Sequence, residues 1–199
     1  DLVIVGTGVR PNVELLEGAA VTVTRGIPVD RYLRTSAEGI FAAGDVAAGP
    51  TVFGEEHEIH ALWSTAVEHG RLVGANLAGR SEAYAGSLNM NVTEMFGLTV
   101  ASMGRFEDPA RPEDFKRIDA AEPRYLRLCF ECGLPVGAVA VGPAELAAVL
   151  GRLRPLIRQR RPIPDPAAFV AGKVPWSRAT LGHLQTHDAV EARRCASLP

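Results

Sequence analysis

The chain has 199 residues, 47% hydrophobic and 22% charged, the balance of an ordinary globular protein with room for one or two packed domains. A formal net charge of −2 offers no basic surface to nucleic acid or to an anionic membrane, so neither is expected as a partner. No apolar run approaches the roughly 20 residues that span a bilayer, and without a basic-then-apolar leader pattern the expected location is cytoplasmic.

The first residue is Asp1 rather than Met, and it runs directly into apolar Leu2 to Val5, which reads as a strand. A domain seldom begins with a central strand already under way, so the chain is expected to be a carboxyl-terminal piece of a longer one. Gly6, Thr7 and Gly8 have the start of a dinucleotide-binding fingerprint, but the third glycine position holds Pro11. The short helix expected from Asn12 to Glu17 stops at Gly18, too soon for the crossover of a βαβ unit, so this Gly-x-Gly reads as a strand-to-loop exit. Short apolar pieces follow at Val21 to Val23 and Ile27 to Val29, punctuated by Gly26 and Pro28.

The segment GIFAAGDV, residues 39–46, reads as a buried strand from Gly39 to Ala43 with a bare backbone and a carboxylate at its end. Two readings are open. Asp45 caps a turn or a helix start, or Gly44 admits a ligand to the backbone while Asp45 accepts hydrogen bonds from sugar-type hydroxyls, at the strand ends where α/β sheets bind ligands. Residues 49–60 look loop-like, and a helix follows. In that helix Leu62, Ala66, Gly70, Val73 and Leu77 are expected to form one apolar stripe, and Gly79 to supply the stop.

Composition then shifts. Leu88 to Gly104 reads as extended segments and Glu107 to Glu113 as a polar loop. Strands at Tyr125 to Glu131 and Val136 to Val141 flank Cys132-Gly-Leu-Pro135 as a hairpin, and a helix begins at Pro143 with Leu146, Val149, Leu150 and Leu153 on one face. Beyond Arg158, RQRRPIPDP reads as a linker; the tail carries Trp176 and weak helical patterning around Thr186 to Arg194. Cys129 and Cys132 sit in a strand pattern, which points them to opposite faces, against chelation or a disulfide. His57 and His60 in GEEHEIH match no specific ligand set, so no metal is expected. The basic run Arg152, Arg154, Arg158, Arg160 and Arg161 reads as a wet helix face.

The segment TSAEGIFAAGDV, Thr35 to Val46, resembles the second flavin-binding motif of the pyridine nucleotide-disulfide oxidoreductase superfamily. VIVGTGVRPN, Val3 to Asn12, is similar to the connection by which such chains leave the NAD domain and return to the FAD domain. Trp63, Ala66 and Gly70 in the helix, and NMNVTEMFGLTVASMG with the LCFECGLPVGAVAVG hairpin, resemble the NADH oxidase, nitrite reductase and rubredoxin reductase branch. The resemblance covers residues 1 to about 158.

It implies a mixed α/β and α+β chain: the carboxyl-terminal part of a fold with two dinucleotide domains, plus an α+β dimerisation domain. The implied divisions are 1–12 for the last strand and exit of the NAD(P) domain, 13–85 for the FAD domain, 86–158 for an interface domain forming a homodimer, and 159–199 for a linker and tail. FAD would be the cofactor and NAD(P)H the co-substrate of the longer parent. Asp45 would bind the ribityl hydroxyls, with Gly44 and Val46 close to the ribityl and pyrophosphate. Leu62, Trp63 and Ser64 would aim backbone N–H groups at the pyrimidine edge of the isoalloxazine. The glycine motifs for both nucleotide phosphates are missing from the sequence, His183 and His187 lack the His-Pro context of the glutathione reductase branch, and no catalytic residue is identified. The expected result is half an FAD site beside an intact dimerisation module, with the acceptor a disulfide, oxygen or a redox protein.

Overall fold

The computed structural model describes residues 2–106, 114–119, 121–163 and 165–171, without the side chains of Glu55 and Glu56. The expected loop at 107–113, Trp176, the helical pattern at 186–194 and both tail histidines lie outside the described residues. The chain divides into two compact units between Leu88 and Asn89. Among the described residues, no helix is long and apolar enough to cross a membrane.

In the first unit, β1 (Ile27–Pro28) runs parallel to β2 (Ala47–Thr51), which pairs antiparallel with β3 (Gly54–Glu58). The region expected as loop at 49–60 is therefore mostly a hairpin: Pro50 and the acidic run disguise it, but β2 is buried along its whole length. Ile27, Val29, Leu33, Ala42, Ala47 and Tyr84 form the core. Leu33 is fully buried at φ 61, in a turn closed by Asp30, whose carboxylate accepts the N–H groups of Tyr32 and Arg34 at 2.8 and 2.9 Å.

Two expected strands are not formed. Leu2 to Val5 is unpaired and 78–84% exposed, and between Gly39 and Ala43 only Phe41 pairs, through a single bridge to Arg34. Apolar side chains make a strand only where a neighbour offers both a hydrogen-bond ladder and a surface to bury against. Leu2 to Val5 has neither among the described residues. Gly39 to Ala43, although Ala42 is buried, has only the short contact with residues 33–35, through Thr35 N–H to Ile40 O and Ala42 N–H to Leu33 O. The expected helix from Asn12 to Glu17 is a single 3₁₀ turn at Glu14–Leu16.

The helix α1 (Trp63–Leu77) forms as expected and ends in a Schellman motif. Gly79, at φ 87, donates to Asn76 O and Arg80 to Ala75 O. Its buried face is different from the expected stripe. Thr65, His69 and Asn76 are buried, whereas Gly70 and Leu77 are exposed.

The second unit is a five-stranded antiparallel sheet in the order β4-β5-β8-β7-β6, formed by β4 (Met90–Met95), β5 (Leu98–Gly104), β6 (Phe115–Asp119), β7 (Arg124–Glu131) and β8 (Leu134–Gly142). Alternation in β5 buries Thr99, Ala101 and Met103 on one face. The hairpin expected around Cys132 is β7–β8, turning through Cys132 and Gly133. Cys129 is buried and Cys132 exposed, and no disulfide joins them. β5 ends at Gly104, at φ 68, where a Cβ would overlap the Val136 carbonyl oxygen, so only glycine lets the two strands close there.

The helix α2 (Ala144–Arg158) lays Leu150, Leu153, Leu156 and Ile157 against the sheet and continues through Pro155, because burial on both sides of the proline outweighs the lost hydrogen bond. Packing does not stop at Arg158. Ile163 is buried, and α3 (Pro166–Val170), capped by the Asp165 carboxylate on Ala168 N–H at 2.8 Å, buries Phe169 and Val170 beside β6 and β7.

One ion pair ties β7 to the chain entering β6. Arg127 donates through Nε and Nη2 to Asp114 Oδ2 at 2.9 and 2.7 Å, and Phe130 N–H donates to Oδ1 at 3.1 Å. The Asp114 side chain is 3% exposed and that of Arg127 12%. Replacing Asp114 by Ala leaves a guanidinium buried without its partner, so a loss of about 3 kcal/mol in the urea unfolding free energy is expected. A loss below about 1 kcal/mol would show that the pair is solvated like a surface bridge.

Candidate functional site

The chain reaches Gly44 extended, with Ala43 at φ −146 and ψ 156, and then reverses through one 3₁₀ turn, Gly44–Val46, before entering β2. The reversal requires Gly44 to stand at φ 72, a left-handed conformation. It leaves Asp45 exposed at the entrance to β2 while Val46 packs against the core. Gly44 therefore presents bare backbone, and beside it stands a carboxylate with no residue competing for it among the described hydrogen bonds.

What holds the turn is α1. Gly44 N–H donates to Nδ1 of His69 at 3.2 Å, and a Cβ placed on Gly44 would touch Ala66 Cβ at 3.6 Å. His69 is 2% exposed, and its ring meets that of Tyr84 edge-to-face at 4.7 Å, while the Tyr84 hydroxyl donates to Glu68 Oε2 at 3.1 Å. Burial pushes the His69 pKa below its ordinary value, against the opposing pull of Glu68; His60 adds to the lowering. A neutral imidazole accepting at Nδ1 carries its proton on Nε2, and that buried atom has no hydrogen-bond partner among the described residues.

Farther along α1, Asn76 Nδ2 donates to Tyr32 O and Glu82 O at 3.0 Å each, and its Oδ1 accepts from Glu82 N–H at 2.8 Å. Asn76 and His69 Nδ1 are buried on this face because they bind backbone groups. That is the reason the buried face turned away from the stripe read off the sequence.

The amino end of α1 is open. Leu62 occupies the cap position with no side-chain hydrogen bond, Trp63 is 86% exposed and Ser64 is exposed. Leu62 N–H donates to His60 O at 2.8 Å, whereas the N–H groups of Trp63 and Ser64 carry the positive end of the helix dipole with no acceptor among the described hydrogen bonds. The structure thus joins Gly44, Asp45 and Val46 to α1 by a direct bond, and Leu62, Trp63 and Ser64 belong to the first turn of that helix. His69, which ties them together, was not singled out in the sequence; the signal was Thr65, His69 and Asn76 recurring on one helix face as a polar stripe.

His60 is engaged on both ring nitrogens, with Ser87 Oγ 2.6 Å from Nδ1 and Glu58 Oε2 2.9 Å from Nε2, and so fastens β3 to the segment at Ser87. Among the described residues, no group of three His, Cys, Asp or Glu side chains is arranged to hold a metal.

These features fit one part of FAD. An exposed carboxylate beside bare backbone suits a polyhydroxyl chain, and an uncapped helix start suits an electron-rich ring edge. The described residues fit the pyrophosphate less well: Gly6 and Gly8 lie in irregular chain that leads only to a three-residue 3₁₀ turn.

Residues 1–70 match the family described as pyridine nucleotide-disulphide oxidoreductase, and residues 90–160 match the rubredoxin NAD+ reductase C-terminal domain. The chain is 30% identical over 181 residues to the NADH-dependent phenylglyoxylate dehydrogenase subunit epsilon of Aromatoleum evansii, covering 89% of this chain and 42% of that protein. It is 36% identical over 112 residues to the NADH oxidase of Enterococcus faecalis, covering 56% of this chain and 25% of that one. Among solved structures, a NAD-dependent persulfide reductase from A. fulgidus aligns with TM-score 0.66 and 29% identity, over 78% of this chain and 32% of the other. The water-forming NADH oxidase of Lactobacillus brevis aligns with TM-score 0.65 and 26% identity, over 79% and 39%. The chain spans less than half the length of each of these proteins. With both units matched in order, the chain belongs to the pyridine nucleotide-disulphide oxidoreductase family and carries the C-terminal domain found in rubredoxin NAD+ reductase.

Proposed function

We propose that this chain supplies the ribityl and ring-edge half of the FAD site in a flavoprotein that oxidises NAD(P)H. The observation that carries the reading is the exposed Asp45 on a turn bonded directly to α1, inside the stretch that matches the family. Asp45 accepts hydrogen bonds from ribityl hydroxyls, and Gly44 and Val46 let the cofactor pass close to the backbone. Trp63 and Ser64 present N–H groups where negative charge gathers as the ring is reduced, and the helix dipole favours that charge, while Leu62, expected to join them, donates its N–H to His60 O. FAD, when bound, takes the hydride from NAD(P)H and passes electrons to a disulfide, oxygen or a redox protein. Relatives named for NADH support the nucleotide. A cytoplasmic location is part of the same proposal.

A second property rests on the second unit. β4 is an edge strand, and Val92, Met95 and Phe96 on it and its turn are 59%, 53% and 97% exposed. Such an apolar edge supports self-association, and the proposal is a homodimer through residues 86–158. In isolation the chain would then be a catalytically silent dimerisation module.

Added FAD is expected to leave little flavin absorbance on the 199-residue chain after desalting, because the pyrophosphate has no glycine-rich turn among the described residues. In the flavin-loaded parent, Asp45→Ala is expected to weaken FAD about tenfold or more by equilibrium titration, the loss of hydrogen bonds to a charged acceptor. A parent that purifies colourless and oxidises no NAD(P)H contradicts the flavoenzyme reading. Light scattering is expected to give about twice the 21.2 kDa chain mass, shifting toward monomer in Phe96→Ser. A monomer at high concentration removes the dimer.

A further inference from the structure

The Gly44 turn carries the proposed cofactor residues, yet the side chain holding it, His69, is a titratable group on another element. Its two ring nitrogens are unequal. Nδ1 must accept, because it faces an N–H group, and Nε2 is buried with no hydrogen-bond partner among the described residues. We propose that His69 is a positioning residue for the ribityl-binding turn, holding Gly44 in place while the imidazole is neutral and releasing it when Nδ1 takes a proton. The inference rests on the reading of Gly44 to Val46 as a cofactor-binding turn.

The chemistry follows from donor and acceptor counting. Neutral imidazole offers one acceptor, and the turn uses it. Imidazolium has two donors. The new Nδ1–H would point at Gly44 N–H, and Nε2–H would still have no acceptor among the described residues. The hydrogen bond is thus replaced by a donor facing a donor, in a place only 2% exposed to water. Loss of the bond frees a turn whose only glycine stands at φ 72, and Asp45 moves with it.

The charged and titratable surroundings act in both directions. Glu68, on the same helix, favours the cation, while burial and His60 oppose it, and the net effect lowers the pKa. Tyr84 contributes its ring, with its hydroxyl directed to Glu68. The turn brings Asp45, and the loop around Leu33 brings Asp30, Arg31 and Arg34, all of them with exposed side chains. Because the folded pKa lies below the unfolded value of about 6.5, the stabilisation from neutral His69 is complete above about pH 6.5 and is lost as pH falls through the folded value.

Nuclear magnetic resonance on the 199-residue chain tests this without a loaded enzyme. At pH 7.5 the His69 imidazole nitrogens should report an unprotonated Nδ1 and an Nε2–H, and the Gly44 amide should exchange slowly with solvent. On acidification the Gly44 amide should move and lose protection with the same midpoint as the imidazole. His69→Asn, which keeps an acceptor near the Nδ1 position, should hold Gly44 across the range, and His69→Leu should release it at every pH. An Nδ1–H tautomer, or a Gly44 amide indifferent to His69 protonation, overturns the proposal.

Millimolar FAD separates this from the reading beneath it. At pH 7.5 it should shift the amides of Gly44, Asp45 and Val46, and the apparent affinity should fall at least tenfold where His69 is protonated, but not in His69→Asn. No shift at pH 7.5 sinks the cofactor turn itself. An equal shift at both pH values, with Gly44 still tracking His69, sinks only the positioning role.

Discussion

The hydrogen bond from Gly44 N–H to His69 Nδ1 is the joint on which the first unit's site depends. A turn passing through a left-handed glycine is not held by its own short hydrogen-bonding pattern; it needs an outside partner to fix its direction. His69 supplies it, and Asn76, two turns later, binds the backbone at Tyr32 and Glu82. The helix is therefore seated by polar side chains that bind backbone groups, His69 through Nδ1 and Asn76 through both amide atoms, while Trp63, Val67 and Leu77 remain 86%, 53% and 64% exposed.

That seating brings together two different electrostatic environments. Asp45 is an exposed acceptor that prefers hydroxyl donors, and the amino end of α1 is an uncapped set of donors that prefers negative charge. A ligand bearing both a polyhydroxyl chain and an electron-accepting ring would satisfy the two at once, which is how one short turn and one helix start can serve a flavin. Among its described residues, the second unit makes no comparable arrangement of polar groups. Its buried polar work is structural, concentrated in Arg127 and Asp114, and its free apolar edge lies on β4.

Much of this was readable from local pattern. The β7–β8 hairpin, α1, α2 and the glycine stop at Gly79 follow from alternation, helical period and turn residues. What failed was whatever depended on distant partners. Leu2 to Val5 and Gly39 to Ala43 have strand composition, but a strand exists only in a ladder. The β2–β3 hairpin was hidden because Pro50 and an acidic run look like loop, although the strand is buried between neighbours. β6 and α3 are short, and α3 follows a proline-rich stretch that composition alone assigns to a linker. In the site, Gly44, Asp45 and Trp63 stood out through residue type and resemblance. His69 did not, since a histidine inside an amphipathic helix has no meaning until the group facing its Nδ1 is known.

The central claim is that Asp45 and the start of α1 form one side of a flavin site. A crystal structure of the flavin-loaded parent protein tests it most directly. The account predicts a ribityl hydroxyl at hydrogen-bond distance, about 2.7 Å, from the Asp45 carboxylate, with the pyrimidine edge of the ring facing the N–H groups at Trp63 and Ser64. A flavin bound elsewhere, with Asp45 left in solvent, would contradict it.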